Sequence, residues 1–304
     1  METLILTFGL FFIGAILGSF VVATTWRLRV MELRALQEAG EKLPQEDKKL
    51  LKAFKAQDVR MFSHKDRSIC LNCQQPLKWY DMLPVVSWLF LRGKCRQCRQ
   101  PIGQYEFWLE LGLGVVVAFS YLMWPYGIES ISEIILFGLW IVVLVLLAVL
   151  FSYDIKWLLI PRIITWMLLV VSVVYAGVYF FGVYGATPSL MADYLVQIGL
   201  SLLVLPGFYL LLYIISKRQW VGWGDIEMLV PMAIMVAAWP AAILLIFLAN
   251  LIGCLVVLPG LLLKKLGRMS RVPFGPFLVL AFIVTMLWGA DILDIYLGSL
   301  LFKP

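Results

Sequence analysis

Apolar stretches long enough to cross a bilayer recur along almost the whole 304-residue chain. A helix that spans a hydrocarbon core of about 30 Å needs about twenty mostly apolar residues. Eight such stretches are expected, near Leu4–Thr25, Glu106–Trp124, Ser132–Phe151, Pro161–Phe181, Tyr194–Ile215, Ile226–Ala238, Ala241–Leu263 and Pro276–Ile295. The composition agrees, because 62% of the residues are hydrophobic and 14% charged, whereas about a quarter of a soluble domain is charged. The chain reads as an all-α polytopic membrane protein of about eight transmembrane helices. The first stretch has no basic residue ahead of it, and Gly18-Ser19-Phe20 is followed by more apolar sequence before Arg27. It therefore reads as a retained helix rather than a cleaved signal peptide.

Charge sets the expected orientation. Of the 25 Lys and Arg, sixteen lie between Arg27 and Gln104, a segment that holds only eight acids. The positive-inside rule puts that segment in the cytoplasm. Threading the spans from there sends the turns with Lys156 and Arg162, with Lys217 and Arg218, and with Lys264, Lys265, Arg268 and Arg271 to the same side. The opposite turns, Pro125–Ile131, Val183–Ala192 and Trp239–Pro240, carry no Lys or Arg. The chain thus divides into a first transmembrane helix (1–26), a basic cytoplasmic domain (27–104) and a seven-helix membrane domain (105–304). The formal net charge of +6 reports this topology and an affinity for anionic lipid headgroups. No nucleic-acid partner is expected.

Within the basic segment, Cys70 and Cys73 in SICLNC and Cys95 and Cys98 in GKCRQC form two CxxC units. That spacing is the zinc-ribbon pattern: each turn presents two thiolates, and Pro84 and Gly93 let the chain return the second pair to the first. A closed four-sulfur shell has no open position for water, so the expected metal is a structural Zn²⁺ in a zinc-ribbon-like domain. The alternatives are two disulfides, disfavoured in a reducing cytoplasm, and a redox pair, which does not call for two CxxC units. Cys254 lies alone in an apolar run and is expected in the core. His64 is the only histidine, which excludes a His-rich catalytic zinc site and a Ser-His-Asp triad.

Two aspartates stand where spans meet cytoplasmic turns: Asp154 in FSYDIKWLLIP and Asp225 in WVGWGDIE. Ionisable groups at the edge of hydrocarbon are costly and raise a functional question. Brought together, two carboxylates would share a proton near neutral pH and could activate water for peptide hydrolysis. Spacing alone does not bring them together. Asp225 also suits the start of a helix after Gly222-Trp223-Gly224, and Asp154 an interfacial charge beside Lys156. Ile226–Ala238 is short for a full crossing, and its glycine-rich entrance suits the admission of water. Asp291 and Asp294 read as solvated acids at the end of the last span.

The chain resembles the type IV prepilin peptidases, the leader peptidases of type IV pilus, type II secretion and competence systems. The resemblance is carried by Gly18-Ser19-Phe20, by the run from Ser68 to Gly103, by Asp154 followed by Ile160-Pro161, by the GWGD of Gly222–Asp225, and by Gly275-Pro276-Phe277. It implies a GxGD-type aspartic peptidase whose catalytic pair is Asp154 and Asp225. It also implies prepilin or pseudopilin substrates, cut between a short basic leader and a hydrophobic helix. The site would face the cytoplasm from a bacterial inner membrane, with the zinc domain as a docking platform. Many members also methylate the new N-terminus with S-adenosylmethionine, an activity that here rests on the resemblance alone. There are three departures from the family pattern. Glu227 stands where lysine is expected, Val21 and Val22 replace an asparagine-containing run, and Met82 replaces an asparagine. Glu227 would either add charge to the pair or solvate the helix start. The other functions weighed are a proton-coupled transporter, which also uses intramembrane carboxylates, and a noncatalytic pilus-assembly scaffold.

Overall fold

Helices make up nearly all of the regular structure. The computed structural model describes residues 1–54, 68–70, 72–184, 187–264 and 272–301. In chain order the helices are α1 (Glu2–Glu38), α2 (Gln45–Ala53), α3 (Val86–Phe90), α4 (Gln104–Leu122), α5 (Ile131–Trp157), α6 (Arg162–Tyr179), α7 (Pro188–Ile215), α8 (Trp223–Val236), α9 (Trp239–Leu262) and α10 (Gly275–Leu301). His64, Lys265, Arg268, Arg271 and Lys303 lie outside the described residues.

Among the described residues, seven helices are long and apolar enough to cross a membrane: α1, α4, α5, α6, α7, α9 and α10. The eighth expected segment, Ile226–Ala238, is α8, whose 14 residues reach only about 21 Å at the helical rise. Met228, Leu229, Met232 and Ala233 of α8 are buried, and α6 and α7 pack against it. It is a short inner helix walled by longer ones. Ala237 ends it in the left-handed region, at φ 45°, with its N–H bonded to the Ala233 carbonyl at 3.1 Å.

The chain forms two compact units, Met1–Leu122 and Met123–Pro304. In the first, α1 and α4 pack at close range because Gly14 and Gly18 remove side chains one turn apart on α1. A Cβ at Gly18 would lie 2.7 Å from the Glu110 Cα, and one at Gly14 would lie 2.8 Å from the Gly114 Cα. Small residues at this spacing let helix backbones approach where lipid supplies no hydrophobic drive. Helix α1 runs unbroken for 37 residues, so the boundary expected after residue 26 falls inside it. Its polar end is held by α2. The buried Arg29 pairs with Glu32 at 2.9 Å and Asp47 at 3.0 Å, and Val30 and Phe54 bury their side chains against Trp26 and Leu50. A guanidinium is tolerated there because carboxylates answer its fork of donors.

In the second unit α5 begins at a capping box. The Ser130 hydroxyl accepts from the Glu133 N–H at 3.2 Å, and Glu133 accepts from the Ser130 N–H at 3.0 Å, satisfying two helix-start donors. About half of the apolar window of α5 and of α10 is buried, 50% and 56%, against 17% in α9. Helices α5 and α10 are therefore the centre of this unit, and α9 lies at its edge. Cys254, expected in the core, is exposed on α9. The outer face of a membrane helix is as apolar as the core, so composition does not reveal which way a small residue points.

Candidate active site

Asp154 occupies the last turn of α5 and is 6% exposed. The helix stops there because Leu158 turns left-handed, at φ 54°, and donates its N–H to the Asp154 carbonyl at 2.8 Å. Pro161 then caps α6 with a preset backbone angle. The Asp154 Oδ2 accepts a 2.9 Å hydrogen bond from the backbone N–H of Gly275, the first residue of α10. A Cβ at Gly275 would lie 2.8 Å from that oxygen, so only glycine permits the approach.

Asp225 is the third residue of α8. Gly222 is the cap, and its N–H donates to the Asp225 Oδ2 at 3.3 Å. Asp225 thus reaches back across the helix start instead of capping it. Here too a glycine borders the carboxylate, since a Cβ at Gly222 would lie 3.1 Å from Oδ2. Gly224 lets the first turn of α8 close on the α5–α6 connection, where a Cβ would meet the Ile160 Cβ at 3.0 Å. The structure therefore places Asp154 within electrostatic reach of Asp225. Each carboxylate also lies at a helix N-terminus, where unpaired N–H groups and the helix dipole favour negative charge. Helix dipoles attract negative charge to these positions, and repulsion between two carboxylates opposes it.

Sequence reasoning missed Tyr209 and Asn250. Tyr209 of α7 is 2% exposed, its ring 5.6 Å from that of Phe274, and it lies within electrostatic reach of Asp225. Asn250 of α9 donates to the Tyr209 hydroxyl at 3.0 Å and to the Ile246 carbonyl at 2.8 Å. The signal was present, because Asn250 is an amide in the apolar run of α9. Glu227 points elsewhere: it accepts from the Trp223 indole N–H at 2.6 Å and pairs with Arg162 at 3.4 Å. Asp291 and Asp294 are exposed on α10.

In the first unit, Cys70, Cys73, Cys95 and Cys98 offer sulfurs that all lie within 4.8 Å of one another. They come from two turns of the same design. The Cys70 N–H bonds to the Gln75 carbonyl at 3.0 Å and that of Cys95 to the Gln100 carbonyl at 2.9 Å. Gln74 and Arg99 occupy the same left-handed position in each turn, at φ 58° and 54°. Short antiparallel bridges, Ile69 to Pro76 and Lys94 to Pro101, close both turns. Zn–S bonds of about 2.3 Å in a tetrahedron put sulfurs about 3.8 Å apart, and the Cys70 and Cys98 sulfurs are 3.9 Å apart. The donor set therefore fits a metal ion. Burial pushes the Cys70 thiol up to about 11. Burial opposes ionisation of Cys95 as well, but the N–H groups of Cys98 and Gln97 draw its thiol down to about 7.

Residues 12–124 match the family model described as the bacterial peptidase A24 N-terminal domain. A prepilin leader peptidase/N-methyltransferase of Aeromonas salmonicida is 27% identical over 96% of this chain and 94% of its own length. That of Stutzerimonas stutzeri is 26% identical over 94% and 91%, and that of Aeromonas hydrophila 29% over 77% and 76%. No solved structure matches. With the domain match over residues 12–124 and relatives that align along nearly its whole length, the chain is similar throughout to proteins named prepilin leader peptidase/N-methyltransferase.

Proposed function

We propose that this protein is an aspartic endopeptidase that removes the leader from type IV prepilins or pseudopilins, with Asp154 and Asp225 as its catalytic carboxylates. It would work in the bacterial cytoplasmic membrane, with the aspartates and the four-cysteine domain on the cytoplasmic face. The observation that carries the reading is that two carboxylates, from α5 and α8, are each held by the N–H of a glycine, with Asp154 within electrostatic reach of Asp225. In the hydrolytic step the ionised carboxylate takes a proton from water. Its protonated partner donates a hydrogen bond to the scissile carbonyl, and the roles then reverse as the amine leaves. The N–H groups of Gly275 and Gly222 fix one oxygen of each carboxylate, leaving less motion to arrest at the transition state.

The four cysteines would hold zinc, which supplies a cross-link between two otherwise separate turns. The relatives' names pair the peptidase with an N-methyltransferase, and we extend that second activity, with S-adenosylmethionine as donor, to this chain. Neither a proton-coupled transporter nor a noncatalytic scaffold is favoured, since the relatives are named for a peptidase. The test is mass spectrometry of a prepilin incubated with the purified protein in lipid. A single cut between the basic leader and the hydrophobic helix is expected, and an intact prepilin would contradict the reading.

A further inference from the structure

The segment that carries α3 presents an apolar tip left uncovered among the described residues. Phe90 is 83% exposed, and Leu83, Val86 and Leu89 are exposed as well. Apolar surface gathered on one short segment marks contact with a protein or a membrane. The segment is firmly built. Val85 enters α3 in the left-handed region, at φ 61°, and Arg92 and Gly93 leave it at φ 51° and 67°. A β-branched residue rarely takes that conformation, and here the Val85 N–H is held at 2.9 Å by the Glu110 carboxylate of α4. The Gly93 N–H closes the exit turn on the Trp88 carbonyl, also at 2.9 Å.

The bond to Glu110 sets the depth of this segment. Helix α4 has 19 residues and reaches about 28 Å, so it needs nearly its whole length to cross a core of about 30 Å. Glu110 is in the second turn of α4, about 9 Å along the axis from Gln104. Helices that lie in the membrane interface bury their apolar face to about 5–10 Å. The aromatic rings agree with that level. Trp88 of α3 lies 4.6 Å from Phe107, and Phe107 lies 5.3 Å from Trp108. Trp108 is 62% exposed and heads an exposed stripe of α4 that continues through Val115, Phe119 and Leu122. Tryptophan is enriched where such a stripe meets the headgroups. Arg92 and Lys94, directly after the tip, are exposed, and anionic headgroups attract basic side chains at this level.

We propose that α3 is an interfacial membrane helix. It inserts Leu89 and Phe90 among the acyl chains of the leaflet beside the four-cysteine module, and Arg92 and Lys94 contact anionic phospholipid headgroups. The module is then pinned to the bilayer at a point besides α1 and α4. The hydrophobic helix of a protein partner is the rival guest for an apolar tip. The depth of α3, next to the outward stripe of a membrane-spanning helix, favours lipid. The inference rests on α4 as a membrane span and is independent of the aspartyl pair and of any bound metal.

The test is photo-cross-linking of the purified full chain in vesicles of phosphatidylethanolamine and phosphatidylglycerol. A fraction of the phosphatidylglycerol carries a diazirine near the glycerol end of one acyl chain, and labelled residues are mapped by mass spectrometry. Label on residues 83–91 as well as on α4, unchanged by excess prepilin, is the expected result. Absence of label from residues 83–91 would overturn the proposal. Label there that prepilin displaces would also overturn it, by giving the tip to a protein guest. Phe90→Asp should lower the label on residues 83–91 about 10-fold, measured against α4 in the same sample. Equal label in that variant would contradict insertion of the tip, and if the variant does not fold the wild-type map decides.

Discussion

The backbone N–H of Gly275 donates a 2.9 Å hydrogen bond to Oδ2 of Asp154, 121 residues earlier in the chain. This bond ties the start of α10 to the end of α5, and it exists only because residue 275 has no side chain. Gly222 stands in the same relation to Asp225, at 3.3 Å. Two glycines thus determine where two carboxylates sit.

Replacing Gly275 with alanine would put a methyl group 2.8 Å from the Asp154 oxygen, and the carboxylate must move. A displacement near 1 Å costs about 100-fold in rate, so Gly275→Ala should cut prepilin cleavage by about 10- to 100-fold with helical content unchanged. Gly222→Ala meets Asp225 at 3.1 Å and should cost less. Wild-type kcat/KM in Gly275→Ala would show that the position of this oxygen does not matter.

Glu227, where the family pattern has lysine, is turned towards Trp223 and Arg162. An ion pair this open to solvent contributes less than about 1 kcal/mol. Glu227→Gln should therefore leave kcat/KM and Tm close to wild type. A large change in the pH profile of cleavage would mean that its charge does reach the aspartates.

Much of this was legible in the chain itself. The spans follow from apolar length, the sulfur cluster from two CxxC units, and the two aspartates from being acids at the edge of hydrocarbon. What escaped depends on contacts between distant segments. Helix α1 passes beyond the apolar run that defined it because Arg29 finds Asp47 across the α1–α2 turn. The pairing of Tyr209 with Asn250 and of Asp154 with Gly275 joins helices whose order no local pattern encodes. Cys254 was misplaced because lipid-facing and core-facing residues share one chemistry.

The close approach of α1 and α4 makes a second packing prediction. Gly18→Leu would drive a side chain into the α4 backbone, where even a Cβ lies 2.7 Å from the Glu110 Cα. Overpacking of this kind costs about 1–3 kcal/mol. Thermal unfolding in detergent should occur at a lower temperature, with earlier proteolysis of the first unit. A wild-type Tm would contradict the tight α1–α4 contact.

The sulfur cluster predicts bound zinc, about one ion per chain, by elemental analysis of protein purified without added metal. Cys95→Ser should lower that content and destabilise the first unit, because a bound ion would tie the two turns together. Metal-free protein with unchanged unfolding would contradict a structural metal.

The pairing of Asp154 with Asp225 is tested most directly by initial rates of prepilin cleavage for purified wild type, Asp154→Asn and Asp225→Asn. General acid–base groups contribute about 10²–10⁴-fold, so each variant should lose at least about 100-fold. On the proposed mechanism the two act as a unit, so the double variant should be little worse than either single one. Wild-type rates in both single variants, with helical content and zinc retained, would contradict the assignment.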